Sequence, residues 1–470
     1  MRHRRTTAAS TARTGDTAGA VSTGRVALAA LLVGTAALAA CGRAESKPET
    51  RDGLWESTDY AGILDIEGDQ LQIYETTAVS CLKVETSTGF AAPDRFLMKE
   101  GDGVTVRVID ADRAALHLEG APGDRPLRRL SGLPETCKAA PPSAFDVFWQ
   151  TFQDNYPFFA AKGIDWNQVR DRCRERALSA ERAGDDAGLF AVLKEMITPL
   201  DDAHVMLTDG KTEMVAEARP GTTLPSKALD EQVRTFLRER DLGGQPWAEF
   251  ANGRVAFATL PNRPEIGYLR VSGFSAYTAA RTFEANSAEL ARALDTVFDG
   301  PRLAGLRGLV LDVRLNGGGS DSLALQLAGR FTDRSYLAYT KKTRTADPRP
   351  IQVEPAHAPY TGPIAILTGG STMSAGETFT QAMMGRPGRT LRIGQPTQGV
   401  FSDVLGRKLP GASRAEWSFG LPNEIFLTAD GRAFDGPGIP PDITEPVFTE
   451  DEFAQRRDSA FDRAVAELGR

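Results

Sequence analysis

From residue 265 onward the chain alternates apolar strands with helical stretches, and that alternation limits the possible folds more than any other feature. EIGYLRVSGF reads as a strand, with a helix over about 278–300 after it. RGLVLDVRLNGGGS gives a second strand, SDSLALQLAGRF a helix, PIAILTGG a third strand and SAGETFTQAMMG another helix. Strands in series with helices need crossover connections, which predicts an α/β layer with largely parallel pairing.

The segments before it have different periods. Residues 53–138 alternate apolar and polar positions between turn signals such as EGD and EGDG, which predicts a small antiparallel β-domain. In residues 143–208, Phe145, Phe148, Trp149, Phe152 and Tyr156 recur at spacings of three and four, the period of a packed helix face. Further helices are expected over about 165–180 and 185–200. Residues 209–262 are mixed, with a helix over about 228–240 and a hairpin-like NGRVAFATL. The expected class is α/β, in a multi-domain α+β arrangement whose core is residues 263–470.

Residues 1–40 read as an export signal: basic and Ser/Thr/Ala-rich at first, then apolar from Val26 to Ala40, too short to span a bilayer. The run ends Leu38-Ala39-Ala40-Cys41, which resembles a bacterial lipobox. On that resemblance Cys41 would be lipidated, residues 41–52 would form a tether, and the chain would be anchored to the outer face of the cell membrane. The first 40 residues hold five arginines and one aspartate, and the rest holds 50 basic and 61 acidic residues. That acidity argues against a nucleic-acid partner. Export implies an oxidising compartment, where Cys81 and Cys137, bracketing the strand-rich region, are the expected disulfide. Cys173 is expected to be unpaired, and no Cys/His spacing suggests a metal site.

Four stretches carry residues suited to chemistry. Ser374, in LTGGSTMSAGETF, lies where a strand turns into a helix, so its hydroxyl would sit beside unsatisfied N–H groups that favour developing negative charge. Ser374 and Glu377 also fit a capping box, in which the serine merely closes the helix. Of four histidines, His204 in PLDDAHVML has the best setting for a base. Asn316-Gly317-Gly318-Gly319 would bring bare backbone close to a substrate. Asp435, in RAFDGPGIPPDI, sits in a rigid turn where a carboxylate can orient an imidazole.

Together with FWQTFQDNYPFFAAKGIDW, GYLRVSGF and GQPTQG, these stretches resemble, in order, the tricorn-core and C-terminal-processing serine peptidases, which share a crotonase-like ββα core. The resemblance implies Ser374 as nucleophile, His204 as base and Asp435 as its orienting carboxylate. It implies oxyanion donors at Ala375 and within Gly317–Gly319, at Gly318 ahead of Gly319, with Glu377 and Asn316 in support, and no cofactor. The processing branch has a lysine after the Gly of GxxTxG, but here Val400 follows Gly399. The tricorn-like branch has a serine before its histidine, but here Ala203 stands there. The implied activity is peptide hydrolysis by acyl transfer on a peptide or protein substrate. The alternatives are an esterase, or a silent peptide- or lipid-binding lipoprotein on the same core. Oligomeric state is not legible.

Overall fold

The computed structural model describes residues 50–470, except 92–93, 100–102, 212–213, 217 and 402. The signal, Cys41 and most of the tether lie outside the described residues. The chain from Lys47 to Arg470 forms one compact unit.

Among the described residues, the alternating N-terminal segment folds as nine strands, from Gly53–Ser57 to Arg125–Leu130, in a single antiparallel sheet. Trp55, Leu64, Ile66, Phe96, Val106 and Leu116 fill its core. A disulfide joins Cys81 to Cys137. The sheet is not an isolated module. Arg349 pairs with Asp59, Tyr60 OH donates to Glu424, and Ser320 Oγ donates to Gly120 O (2.7 Å).

Helices Ala144–Asn155, Trp166–Ala183 and Asp186–Ile197 follow. The aromatic face read from the first of them packs Phe148 and Phe152 onto Phe419 of the strand Ser418–Pro422. Cys173 is buried there as a free thiol.

The core sheet orders its strands Ala248–Phe250, Val255–Leu260, Arg263–Val271, Gly308–Asp312, Ile364–Thr368, Thr390–Gly394 and Ile443–Thr444. The first two pairings are antiparallel and the other four are parallel. Every residue of Gly308–Asp312 and Ile364–Thr368 is buried, as befits strands covered on both faces. Helices Phe283–Val297, Asp321–Gly329 and Ala375–Met384 cover one face, and Lys227–Arg240 and Ser459–Leu468 the other. The helix expected over 278–300 starts only at Phe283, because Thr282 caps it through Ala285 N–H. The expected second strand ends at Asp312, where Arg314 turns inward instead of continuing the ladder.

Arg314 is the anchor of this edge. Its guanidinium is fully buried and bonds Asp312 Oδ2 (2.7 Å) and both oxygens of Asp458 (2.7 and 2.8 Å). Asp458 also caps the C-terminal helix through Phe461 N–H (2.9 Å). Removing one partner of such a trio strands a buried charge. Asp458→Ala is therefore expected to cost about 3–5 kcal/mol, read as a lowered denaturation midpoint. A loss near the ~0–1 kcal/mol of a surface pair would contradict this reading.

Candidate active site

Strands Gly308–Asp312, Ile364–Thr368 and Thr390–Gly394 are parallel neighbours, so the loops that follow them emerge at one edge of the sheet. That edge is where open α/β sheets bind ligands. The three loops carry Asn316 to Gly319, Ser374, and Gly399 with Val400.

Ser374 holds φ 54° and ψ −124°, a conformation an L-residue adopts only when its surroundings impose it. Its hydroxyl makes no capping bond to the helix Ala375–Met384 that it precedes. Without that bond a capping box is not formed, and the closest partners of Glu377 lie elsewhere. Its fully buried carboxylate accepts from Gly399 N–H (2.6 Å) and Val400 N–H (2.8 Å) on the facing loop. Burial pushes the Glu377 carboxyl up to about 7, against the lowering effect of Thr397 and of the backbone N–H groups of Gly399, Val400 and Ser374. The same loop returns a bond to the serine, since Ser374 N–H donates to Val400 O (3.0 Å). This geometry excludes the capping-box reading.

Asn316 is fully buried and joins three segments. Its amide donates to Val271 O (3.0 Å), its Oδ1 accepts from Gly318 N–H (2.9 Å), and its carbonyl accepts from Met373 N–H (3.0 Å). Gly318 has φ +86°, and a Cβ there would lie 2.5 Å from Ser374 Cβ, so only glycine fits. Its N–H is nevertheless committed to Asn316. Among the described residues, neither Gly319 N–H nor Ala375 N–H has an acceptor. Of the two glycines named as oxyanion donors, Gly319 is the one whose amide is available.

His204 is buried in the turn after the third helix. Asp202 shapes that turn, accepting from His204 N–H through Oδ1 (3.0 Å) and from Tyr156 OH through Oδ2 (2.9 Å). Asp435 lies on the other side of the Gly399–Phe401 loop from Ser374. Its Oδ1 accepts from Phe401 N–H (3.4 Å), and Gly436 N–H donates to Gly399 O (2.8 Å). Burial, then the charges of Asp202 and Glu377, hold the Asp435 carboxyl well above the usual carboxylate range. Asp403 continues the same loop. Burial opposes its ionisation, but Lys341, Arg125 and His204 together hold it below its usual range. The charge of Asp202 thus acts on Asp435, and that of His204 on Asp403.

An α/β sheet carrying a strained serine at a strand–helix joint, with two vacant amides beside it, defines a site of the serine-hydrolase kind. Residues 265–445 match the family model "Peptidase family S41", and residues 138–198 match "Tricorn protease C1 domain". Over residues 265–445 the chain is thus similar to the S41 peptidases. A carboxy-terminal-processing protease of Bartonella bacilliformis is 26% identical over 181 residues, which cover 38% of this chain and 38% of that protein. The match thus spans well under half the length of that relative. A Parabacteroides merdae protein, provisionally assigned as a peptidase, shares the fold with a TM-score of 0.56 and 24% identity, over 69% of this chain and 96% of that one.

Sequence reading missed Asp202, Asp403, Lys341 and Asp321. Lys341 is buried, bonding Asp403 Oδ2 (3.0 Å) and Glu424 Oε2 (2.9 Å), and those carboxylates hold its ammonium above its usual range despite burial. The alternation of YLAYTKK marks a strand but does not say which lysine points inward. Asp321 accepts from Thr378 Oγ1 (2.7 Å) on the serine helix; burial, then the Asp403 charge, pushes its carboxyl up to about 8. A carboxyl raised on folding makes the native state the better proton binder. Stability is therefore lost as pH rises from about 4 to about 8. Asp321→Asn keeps the acceptor for Thr378 and is expected to remove that slope, at most ~1.4 kcal/mol per pH unit, in denaturation midpoints measured across this range. An unchanged slope would contradict the assignment.

Proposed function

We propose that this chain is a serine-type peptidase that cleaves peptide bonds by acyl transfer. The observation that carries this reading is Ser374: a strained, uncapped serine, pressed on Gly318 and flanked by unengaged amides. Ser374 Oγ attacks the scissile carbonyl as His204 takes its proton. Ala375 N–H and Gly319 N–H hold the oxyanion, a role worth about 10²–10³-fold in rate per donor. His204 then returns the proton to the leaving amine, and water hydrolyses the acyl-enzyme by the reverse transfers.

Asp435 is assigned to orient the imidazole. Val400, at the position after GxxTxG, leaves the lysine dyad no candidate there and favours the histidine mechanism. The lipobox-like Cys41 supports a cell-surface, lipid-anchored enzyme acting on exported or external polypeptide.

The test is turnover of a peptide substrate. Ser374→Ala is expected to lower kcat on the order of 10⁴-fold or more, His204→Ala by a comparable factor, and the double variant no further than either single one. A Ser374→Ala protein as fast as the parent would refute the proposal.

A further inference from the structure

A cleft of about 400 Å³ opens beside Gly319, between the N-terminal sheet and the core. Its walls include Leu118 from the sheet and Phe274, Phe283 and Val404 from the core. Five charged or ionisable groups line it: Glu119, Arg125, Arg281, Asp321 and Asp403.

The three acids contribute little free negative charge. Glu119 makes a two-bonded pair with Arg95 (2.5 and 2.9 Å). Asp403 is bonded to Lys341 Nζ at 3.0 Å. Asp321 accepts from Thr378 and, with its carboxyl pushed up to about 8, is mostly protonated at neutral pH.

The two arginines are different. Among the described residues, neither Arg125 nor Arg281 forms an ion pair or a side-chain hydrogen bond. Arg125 is half-buried, with its guanidinium held 3.5 Å from the centre of the Tyr60 ring. Stacking fixes the planar group while leaving its N–H edge for a ligand. Arg281 is exposed at the rim. Two guanidiniums with no bonded carboxylate, above apolar walls and next to a vacant oxyanion amide, are complementary to a carboxylate on a partly apolar segment.

We propose that this cleft is the specificity site of the enzyme, and that Arg125 and Arg281 bind a carboxylate of the peptide substrate close to the scissile bond. The carboxylate is either the C-terminus of the substrate or an acidic side chain. The N-terminal sheet thereby supplies part of the substrate site. This rests on the peptidase reading for its biological role, but not for its test.

The test measures binding to the full chain carrying Ser374→Ala, so that cleavage does not intervene. Four fluorescein-labelled heptapeptides, Ala-Val-Leu-Ala-Xaa-Leu-Ala, carry Glu or Gln at Xaa and a free or amidated C-terminus. The expected result is at least about tenfold weaker binding when the recognised carboxylate is removed. Loss on amidation identifies the chain terminus, and loss with Gln identifies the acidic side chain. Arg125→Met, and separately Arg281→Met, should erase that discrimination. The exposed Arg281 variant serves if loss of the Tyr60 stack unfolds the other. Equal binding of all four peptides, no binding up to about 1 mM, or discrimination untouched by both arginine variants overturns the proposal. Discrimination without peptide turnover by the parent would instead leave the cleft assignment standing and remove the peptidase reading.

Discussion

The buried carboxylate of Glu377 holds the site together. It accepts from two successive amides, Gly399 and Val400, and so fastens the loop after Thr390–Gly394 onto the serine helix. Val400 then uses its carbonyl to hold Ser374 N–H. A backbone like that of Ser374 costs about 1–3 kcal/mol. A buried hydrogen bond contributes about 0.5–1.5 kcal/mol net, so the Glu377 pair is of the size needed to offset the strain. Asn316 and Gly318 complete the clamp from the opposite loop, and the strain leaves the hydroxyl unused by the helix.

The second constraint is ionic and ties the N-terminal sheet to the core. Tyr60 and Asp59 meet Arg349 and Glu424, Glu424 meets Lys341, and Lys341 meets Asp403. The chain of contacts runs from the sheet to the residue that follows the Glu377-held loop by three positions. Arg407 adds a bond from its own strand to Tyr60 O (2.6 Å). A sheet docked through groups this deeply buried is placed as firmly as the core strands it meets.

Legibility followed the range of the interactions. The parallel core, the aromatic helix face and the placing of Ser374, Asn316 and Gly319 at strand ends could all be read from local periodicity and glycine. Two readings stayed open for Ser374, because S-x-x-E suits a cap as well as a nucleophile and only the backbone angles with the Glu377 partners separate them. The sequence reading preferred Gly318 to Gly319 as the donor, because it could not show that Asn316 engages the Gly318 amide. Lys341, Asp403 and Asp321 were invisible because burial of a charge depends on partners far along the chain, such as Asp403 and Glu424 for Lys341, not on neighbours. The nine strands were expected as a separate domain, but Asp59, Tyr60 and Gly120 carry no local mark of the core residues they touch.

The central claim is that the strained hydroxyl of Ser374 is nucleophilic. Its most direct measurement is mass spectrometry of the folded protein after reaction with a fluorophosphonate. The account predicts one covalent adduct, on the peptide containing Ser374, formed much more slowly when His204 is replaced by alanine. An adduct on Ser371 or elsewhere, or none on the folded chain, would contradict it.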